Sequence, residues 1–315
     1  MRTPFGRSLM ALAMAALVGV VSVFVRPTAG QQFPAFAGSR TANGRPNLSG
    51  VWQAVNSAND DIQTHAARPA LALTPGPLGP VPALPVLLLG AEGGIPGGLG
   101  VVEGETIPYQ PWAAAKKQEN LENSLTRDPA IKCYLPGVPR ANYMPYPFQI
   151  VQGTTDLMLI YEFAGATRTI HMDKVPPVPA DTWMGDSHGR WEGNTLVVDV
   201  TSFNDQTWFD RAGDFHSDAL HVVERYTPAS PYHLNYEVTI EDPKVFTRPW
   251  KMSMPLYRRM EKDAQLIEYK CVEFVEELMY GHLRKQPVNK RWEGDLSEPA
   301  GSFVFELTRK PPIIK

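Results

Sequence analysis

The sequence predicts an all-β protein whose strands run as an antiparallel meander and close into a barrel. Three observations carry that expectation. Apolar residues recur at every second position in Leu157, Leu159, Tyr161 and Phe163, in Leu196, Val198 and Val200, and in Leu234, Tyr236, Val238 and Ile240. That is the period of a half-buried strand. Turn signals punctuate these runs at Ala164-Gly165, Gly193-Asn194, Pro228 to Pro231, Asp242-Pro243 and Lys262-Asp263, which is the texture of hairpins. Finally, about eight to ten such runs can be counted if Val51 to Val55 and Ser302 to Thr308 are included. A series of that length is best closed on itself, because closure leaves no exposed edge. A β-sandwich is the runner-up.

The elements follow in chain order. Arg2 and Arg7 precede an apolar run from Leu9 to Val25, and Thr28-Ala29-Gly30 follows. A positive start, an apolar middle and a small-residue exit predict a secretory signal peptide over residues 1–30. The alternative is a membrane anchor, since the run is near the lower length for a span. Cleavage near Gly30 removes three arginines and no acid, taking the formal net charge from −3 to −6. A mildly acidic chain without a basic block argues against nucleic acid as a partner. No other apolar run is long enough to span a bilayer, so no membrane span is expected after cleavage.

Residues 31–147 read as an irregular wrapper. A first strand is expected near 51–55, and residues 66–108 are dense in proline and glycine with little charge. Proline removes backbone donors and breaks helices, so this stretch predicts an extended or looped path. Leu84 to Leu89 is apolar enough to pack on another element. Pro111 then opens a helix near 112–125, where proline suits the first turn and AAAKKQENLENSL is rich in helix formers. Residues 148–315 form the expected barrel core, interrupted by one short helix near Val275 to Arg284. Cys133 and Cys271 are the two cysteines. In an exported chain an even count permits a disulfide, and two free buried thiols are the alternative.

Gly185-Asp186-Ser187-His188-Gly189 matches G-x-S-x-G, the pattern of a hydrolase nucleophile elbow. An elbow needs a buried strand before the serine and a helix after it. Here Pro176, Pro177 and Pro179 precede it, and the β-run Thr195 to Val200 follows. Both halves of the context are missing. Ser187 therefore reads as a loop residue that fastens neighbouring backbone and lines a ligand site, rather than as a nucleophile.

The run from Trp183 (WMGDSHGRWEGNTLVVDV), with His216-Ser217, Leu220 to Tyr226, Thr239 to Pro243 and Arg248-Pro249-Trp250, resembles a large family of exported bacterial proteins. Ile107 to Lys117 and Cys133 to Arg140 extend the likeness over most of the chain after residue 30. The resemblance implies export and names no reaction. Members of that family often carry G-H-S where this chain has Gly185-Asp186-Ser187, and the histidine here stands two positions later, at His188.

The chemistry-bearing residues cluster around the loops that flank Thr195 to Ser202. His171 and Asp173 end one strand, His188 follows, and Asp210, Asp214 and His216 lie in the next loop. Imidazoles with a carboxylate can bind Zn²⁺ or pass protons. None has the close spacing of a metal helix, so no metal or cofactor is assigned. Glu224 shares an apolar face with Leu220, Val222 and Tyr226. An inward carboxylate must find a partner, such as His216 or Arg248, or keep its proton.

These readings combine into an exported, periplasmic, lipocalin-like barrel that binds a small apolar or aromatic molecule in its lumen. Trp183, Trp208 and Trp250 would wall the pocket with Ser187 beside them, and His171, His216 and Glu224 would form its polar end. The alternative is an acid–base enzyme on the same scaffold, a hydrolase, hydratase or isomerase. It would use Glu224 and His216 as the proton-handling pair, with Asp173 orienting a histidine. A structural envelope protein without a ligand is the third reading.

Overall fold

A computed structural model describes residues 38–69, 73–75, 80–82, 94–104, 106–275 and 278. The expected signal peptide, the Leu84–Leu89 run, most of the expected helix after Val275 and the late strand Ser302–Thr308 lie outside these residues.

Nine strands form the closed sheet: β1 (Gly50–Ala54), β2 (Phe148–Gln152), β3 (Asp156–Tyr161), β4 (Thr167–His171), β5 (Asp186–Glu192), β6 (Thr195–Thr201), β7 (His221–Ser230), β8 (His233–Glu241) and β9 (Trp250–Arg258). From β2 to β9 each strand pairs with the next in sequence, and β1 completes the ring between β9 and β2. The expected barrel is present, and the strand expected near residue 51 is the one that closes it.

The meander departs from pure antiparallel pairing at one place. A ring with an odd number of strands cannot alternate direction all the way round. Here β4 and β5 run parallel, with Ile170 opposite Ser187 and His171 opposite His188. A parallel pair cannot be joined by a tight turn. Residues 172–185, which hold Pro176, Pro177 and Pro179, make the crossover. Most other connections from β2 to β9 are short, the exception being residues 202–220 between β6 and β7. Glu192 pairs with Thr195 across Gly193-Asn194, where Gly193 takes φ +62° as the first residue of a two-residue hairpin.

Alternation decides what enters the barrel. On β8, Leu234, Tyr236, Val238 and Ile240 are buried, and on β9 Trp250, Met252, Met254 and Leu256 are. On β7 the inward set is Val222, Glu224, Tyr226 and Pro228. Two inward positions therefore break the apolar pattern with groups that need partners: Glu224, and Arg168 on β4 beside Ile170.

The wrapper lies on the barrel. Val102 bridges Met252, and Tyr109 bridges Phe246. Two helices follow, α1 (Pro111–Glu122) and α2 (Ser124–Arg127), where one helix near 112–125 was expected. Asn123 interrupts them: its amide is bonded to Asn120 and Leu121 carbonyls. A 3₁₀ turn, Arg140–Asn142, then brings Asn142 into the barrel interior. Cys133 and Cys271 are bonded, with Cα atoms 5.6 Å apart, so the wrapper is tied to the chain beyond β9. Among the described residues no helix is long and apolar enough to cross a membrane.

Candidate functional site

The barrel centre is filled by a polar layer. Glu224 is fully buried, and its Oε2 pairs with the Arg168 guanidinium. Its Oε1 accepts from Arg168 at 3.2 Å, Tyr226 Oη at 2.9 Å, Tyr236 Oη at 2.6 Å and Asn142 Nδ2 at 2.9 Å. Tyr161 donates to Asn142 Oδ1 at 2.9 Å. Burial is the main cause that raises the hydroxyl pKa of Tyr226 and Tyr236, with the Glu224 charge next, so both phenols act as donors here. A buried charge that is paired and surrounded by donors is tolerated, and unpaired it would not be.

Arg168 also links this layer to the surface. Its Nε–H donates to Ser187 Oγ at 2.8 Å. The Ser187 oxygen is thus an acceptor from the inside, and its own O–H remains to be given elsewhere.

That hydroxyl lines a cleft of about 320 Å³ at the parallel β4–β5 seam, under the 172–185 crossover. Leu135, Val178, Trp183 and Met184 supply its apolar wall. Trp183 is braced by Tyr134, with ring centroids 4.9 Å apart. Thr182, Ser187 and His171 supply polar groups. Thr182 Oγ1 is buried without a hydrogen-bond partner among the described residues. His171 Nδ1 lies 2.9 Å from Asp156 Oδ1, so the carboxylate orients the ring and leaves Nε2 for other contacts.

Gly185 shapes the start of β5. Its φ is +70°, and a Cβ there would lie 2.6 Å from Val200 Cγ1 and 2.8 Å from the Phe203 ring. Only glycine fits this backbone. Ser187, two residues on, sits within the strand, and the chain continues as strand through Glu192, not as a helix. His188 Nε2 lies 3.0 Å from Asp186 Oδ2 and makes no hydrogen bond to Ser187. No general base is aligned on the serine, so the nucleophile-elbow geometry is absent.

The structure distributes the other expected residues differently. Glu224 and His216 do not pair. His216 is buried between Phe203 and Phe209. Its Nδ1 lies 2.8 Å from the Ser217 carbonyl, which only accepts, so Nδ1 carries the proton. Nε2 then accepts from Thr207 Oγ1 at 2.6 Å. Burial lowers the His216 pKa, against smaller opposing effects from the Ser217 carbonyl, Asp242 and Asp205. Asp173 is exposed, and the carboxylate that holds His171 is Asp156, its register partner across β3 and β4. Arg248 is exposed and donates to the Pro249 carbonyl. The partner of Glu224 is Arg168 instead.

Of the three expected tryptophan walls, Trp183 lines the cleft. Trp250 is core, edge-on to Phe209 and Phe246. Trp208 packs partly buried against the same core. Arg168 and Asn142 escaped the sequence reading, which placed Tyr161 on an apolar strand face and not in a polar layer. Arg168 carried a legible signal, because it alternates with Ile170 as Glu224 does with Val222. Asn142 lies in a proline-punctuated segment with no period to reveal its direction.

No family model, curated protein or solved structure matches this chain.

Proposed function

We propose that this is an exported binding protein whose ligand sits in the cleft at the parallel seam rather than in the barrel lumen. The occupant has an apolar or aromatic body and a hydrogen-bond acceptor at one end, such as a carbonyl. One observation carries this reading. Thr182 and Ser187, each with a hydroxyl hydrogen left to donate, line the same cleft as Trp183, and His171 lines it too, with an Nε2 that accepts while its Nδ1–H faces Asp156. Small-molecule sites are apolar concavities with a few placed polar groups, which is this composition. Export is supported by the Cys133–Cys271 bond and by the leader-like pattern of residues 1–30.

The test is calorimetric titration with aryl ketones and with hydrocarbons of the same shape. The ketones bind, the hydrocarbons bind more weakly, and Ser187→Ala or Thr182→Val weakens ketone binding by about tenfold, the value of one hydrogen bond. Equal affinity for ketone and hydrocarbon in the wild type and both variants would defeat the proposal.

A second reading, acid–base chemistry in the same cleft, is favoured by the Asp156–His171 pair. The base would then be His171, because Glu224 is enclosed by Arg168, Asn142 and two tyrosines. Loss of turnover but not of ligand binding in His171→Gln would select it.

A further inference from the structure

The lining of the seam cleft holds two kinds of polar group, and they ask for different things. Ser187 and Thr182 have hydroxyl hydrogens to give. His171, which ends β4 opposite His188 on β5, has a lone pair to fill.

Carboxylates place the hydrogen on each imidazole. Asp156 Oδ1 lies 2.9 Å from His171 Nδ1, and Asp156 Oδ2 accepts from Thr155 Oγ1 at 3.0 Å. An ionised carboxylate only accepts, so Nδ1 of the neutral ring carries the hydrogen and Nε2 the lone pair. His188 is held the other way round. Its Nε2 lies 3.0 Å from Asp186 Oδ2, which also takes the Val178 amide at 3.1 Å. The hydrogen of His188 is therefore on Nε2, and its Nδ1 only accepts.

The two rings lie 6.1 Å apart, centroid to centroid, yet His188 has no hydrogen to offer its neighbour. Arg168, the cation in the lining, is spent on Glu224 and Ser187. Among the described residues no donor reaches His171 Nε2, although its side chain is only 32% exposed.

Resting on the seam cleft as the ligand site, we propose that its ligand carries an aromatic hydroxyl as well as a carbonyl, and that His171 Nε2 accepts from that hydroxyl.

A ligand with a carbonyl alone satisfies the two hydroxyl donors and leaves the imidazole lone pair unfilled. A site that presents a polar group discriminates against ligands lacking its complement, because the group is then buried without a partner. Ile170–Ser187 and His171–His188 are successive register pairs, so donor and acceptor stand in one site and serve one molecule.

The acceptor also has a preference among hydroxyls. Hydrogen bonds in a chain polarise one another. Asp156 behind the ring therefore makes Nε2 a stronger acceptor, and a phenol, which donates better than an alkyl alcohol, gains most from it. The cleft of about 320 Å³ is at the small end of ligand sites, and Trp183, Leu135, Val178 and Met184 wall it. One aromatic ring bearing both groups suits that space.

The full chain is titrated by calorimetry with meta- and para-hydroxyacetophenone and with the matching fluoroacetophenones, in which fluorine replaces the hydroxyl and has no hydrogen to donate. At least one hydroxy ketone binds about five- to tenfold more tightly than its fluoro counterpart, the value of one hydrogen bond. In His171→Phe, which keeps a ring and removes the acceptor, that ratio falls to about one, whatever the exchange does to the affinity of either ketone alone. Thermal melting checks that the variant folds, and the wild-type ratios decide by themselves if it does not. Wild-type ratios near one for both pairs, or a preference that survives in folded His171→Phe, overturn this inference and leave the cleft as a ketone site. Failure of every ketone to bind overturns the seam-cleft reading, and this inference with it.

Discussion

Arg168 on β4 and Glu224 on β7 meet inside the closed barrel as a fully buried ion pair, and Arg168 reaches on to Ser187 at the surface cleft. The pair explains how two charged residues occupy positions that alternation assigns to the core. Each satisfies the other, and Tyr226, Tyr236 and Asn142 fill the remaining capacity of Glu224. Glu224→Gln leaves the guanidinium without its counter-charge. Breaking one side of a buried pair costs about 3–5 kcal/mol, so denaturant unfolding should show a loss of that size. A change below about 1 kcal/mol would mean that solvent reaches the pair.

The fold of the cleft depends on Gly185. An alanine there combines a left-handed backbone with contacts of 2.6 Å and 2.8 Å to Val200 and Phe203. Gly185→Ala should destabilise by about 2–4 kcal/mol and reduce ligand binding. Gly193→Ala, at a positive φ with open space around the added methyl, should cost only about 1 kcal/mol. Equal costs in paired melts would remove the steric account of Gly185.

The Cys133–Cys271 bond closes a loop with a sequence separation of 138. Constraint of so long a loop stabilises the chain by about 2–5 kcal/mol. Cys133→Ser with Cys271→Ser should lower Tm and make it insensitive to reductant, whereas the wild type loses stability when reduced. A wild type indifferent to reductant would show that the bond carries no stability.

His216 predicts an acid limb in stability. Its folded pKa lies below the ordinary value because burial disfavours the imidazolium. Below about pH 6.5 the unfolded chain then binds more protons than the folded one. The contribution is complete above that pH and is lost as pH falls through the folded pKa. Asp242 and Asp205 are the charged groups that act on it, and both oppose the shift. His216→Asn keeps the donor to the Ser217 carbonyl and should flatten the stability curve just below about pH 6.5. An unchanged slope in this variant would assign the limb to other groups.

What the sequence revealed, and what it hid, follows from period. The strands carrying Leu157 to Tyr161, Leu196 to Val200 and Leu234 to Ile240 were legible because two-residue alternation is a local signal. The inward direction of Glu224 was legible for the same reason, but its partner was not. Pairing Arg168 with Glu224 depends on barrel closure, a property of all nine strands. The parallel β4–β5 seam was invisible as well. The prolines in 172–185 announced a loop, and only the strand count imposes its crossover. His216 and Asp173 looked reactive by composition, yet one is spent on Thr207 and Ser217 and the other faces solvent. Asp156, the group that does orient His171, lies 15 residues away across a hairpin register.

The central claim is that a small molecule occupies the seam cleft beside Trp183 and Ser187. Native mass spectrometry of protein purified from its own host without denaturation tests it most directly, comparing wild type with Thr169→Trp. Thr169 is a lining residue, exposed on β4, where an indole fills the cleft and leaves the core untouched. The account predicts a bound small mass on the wild type that is absent from the filled variant. The same bound mass on both proteins, or none on either, would contradict it.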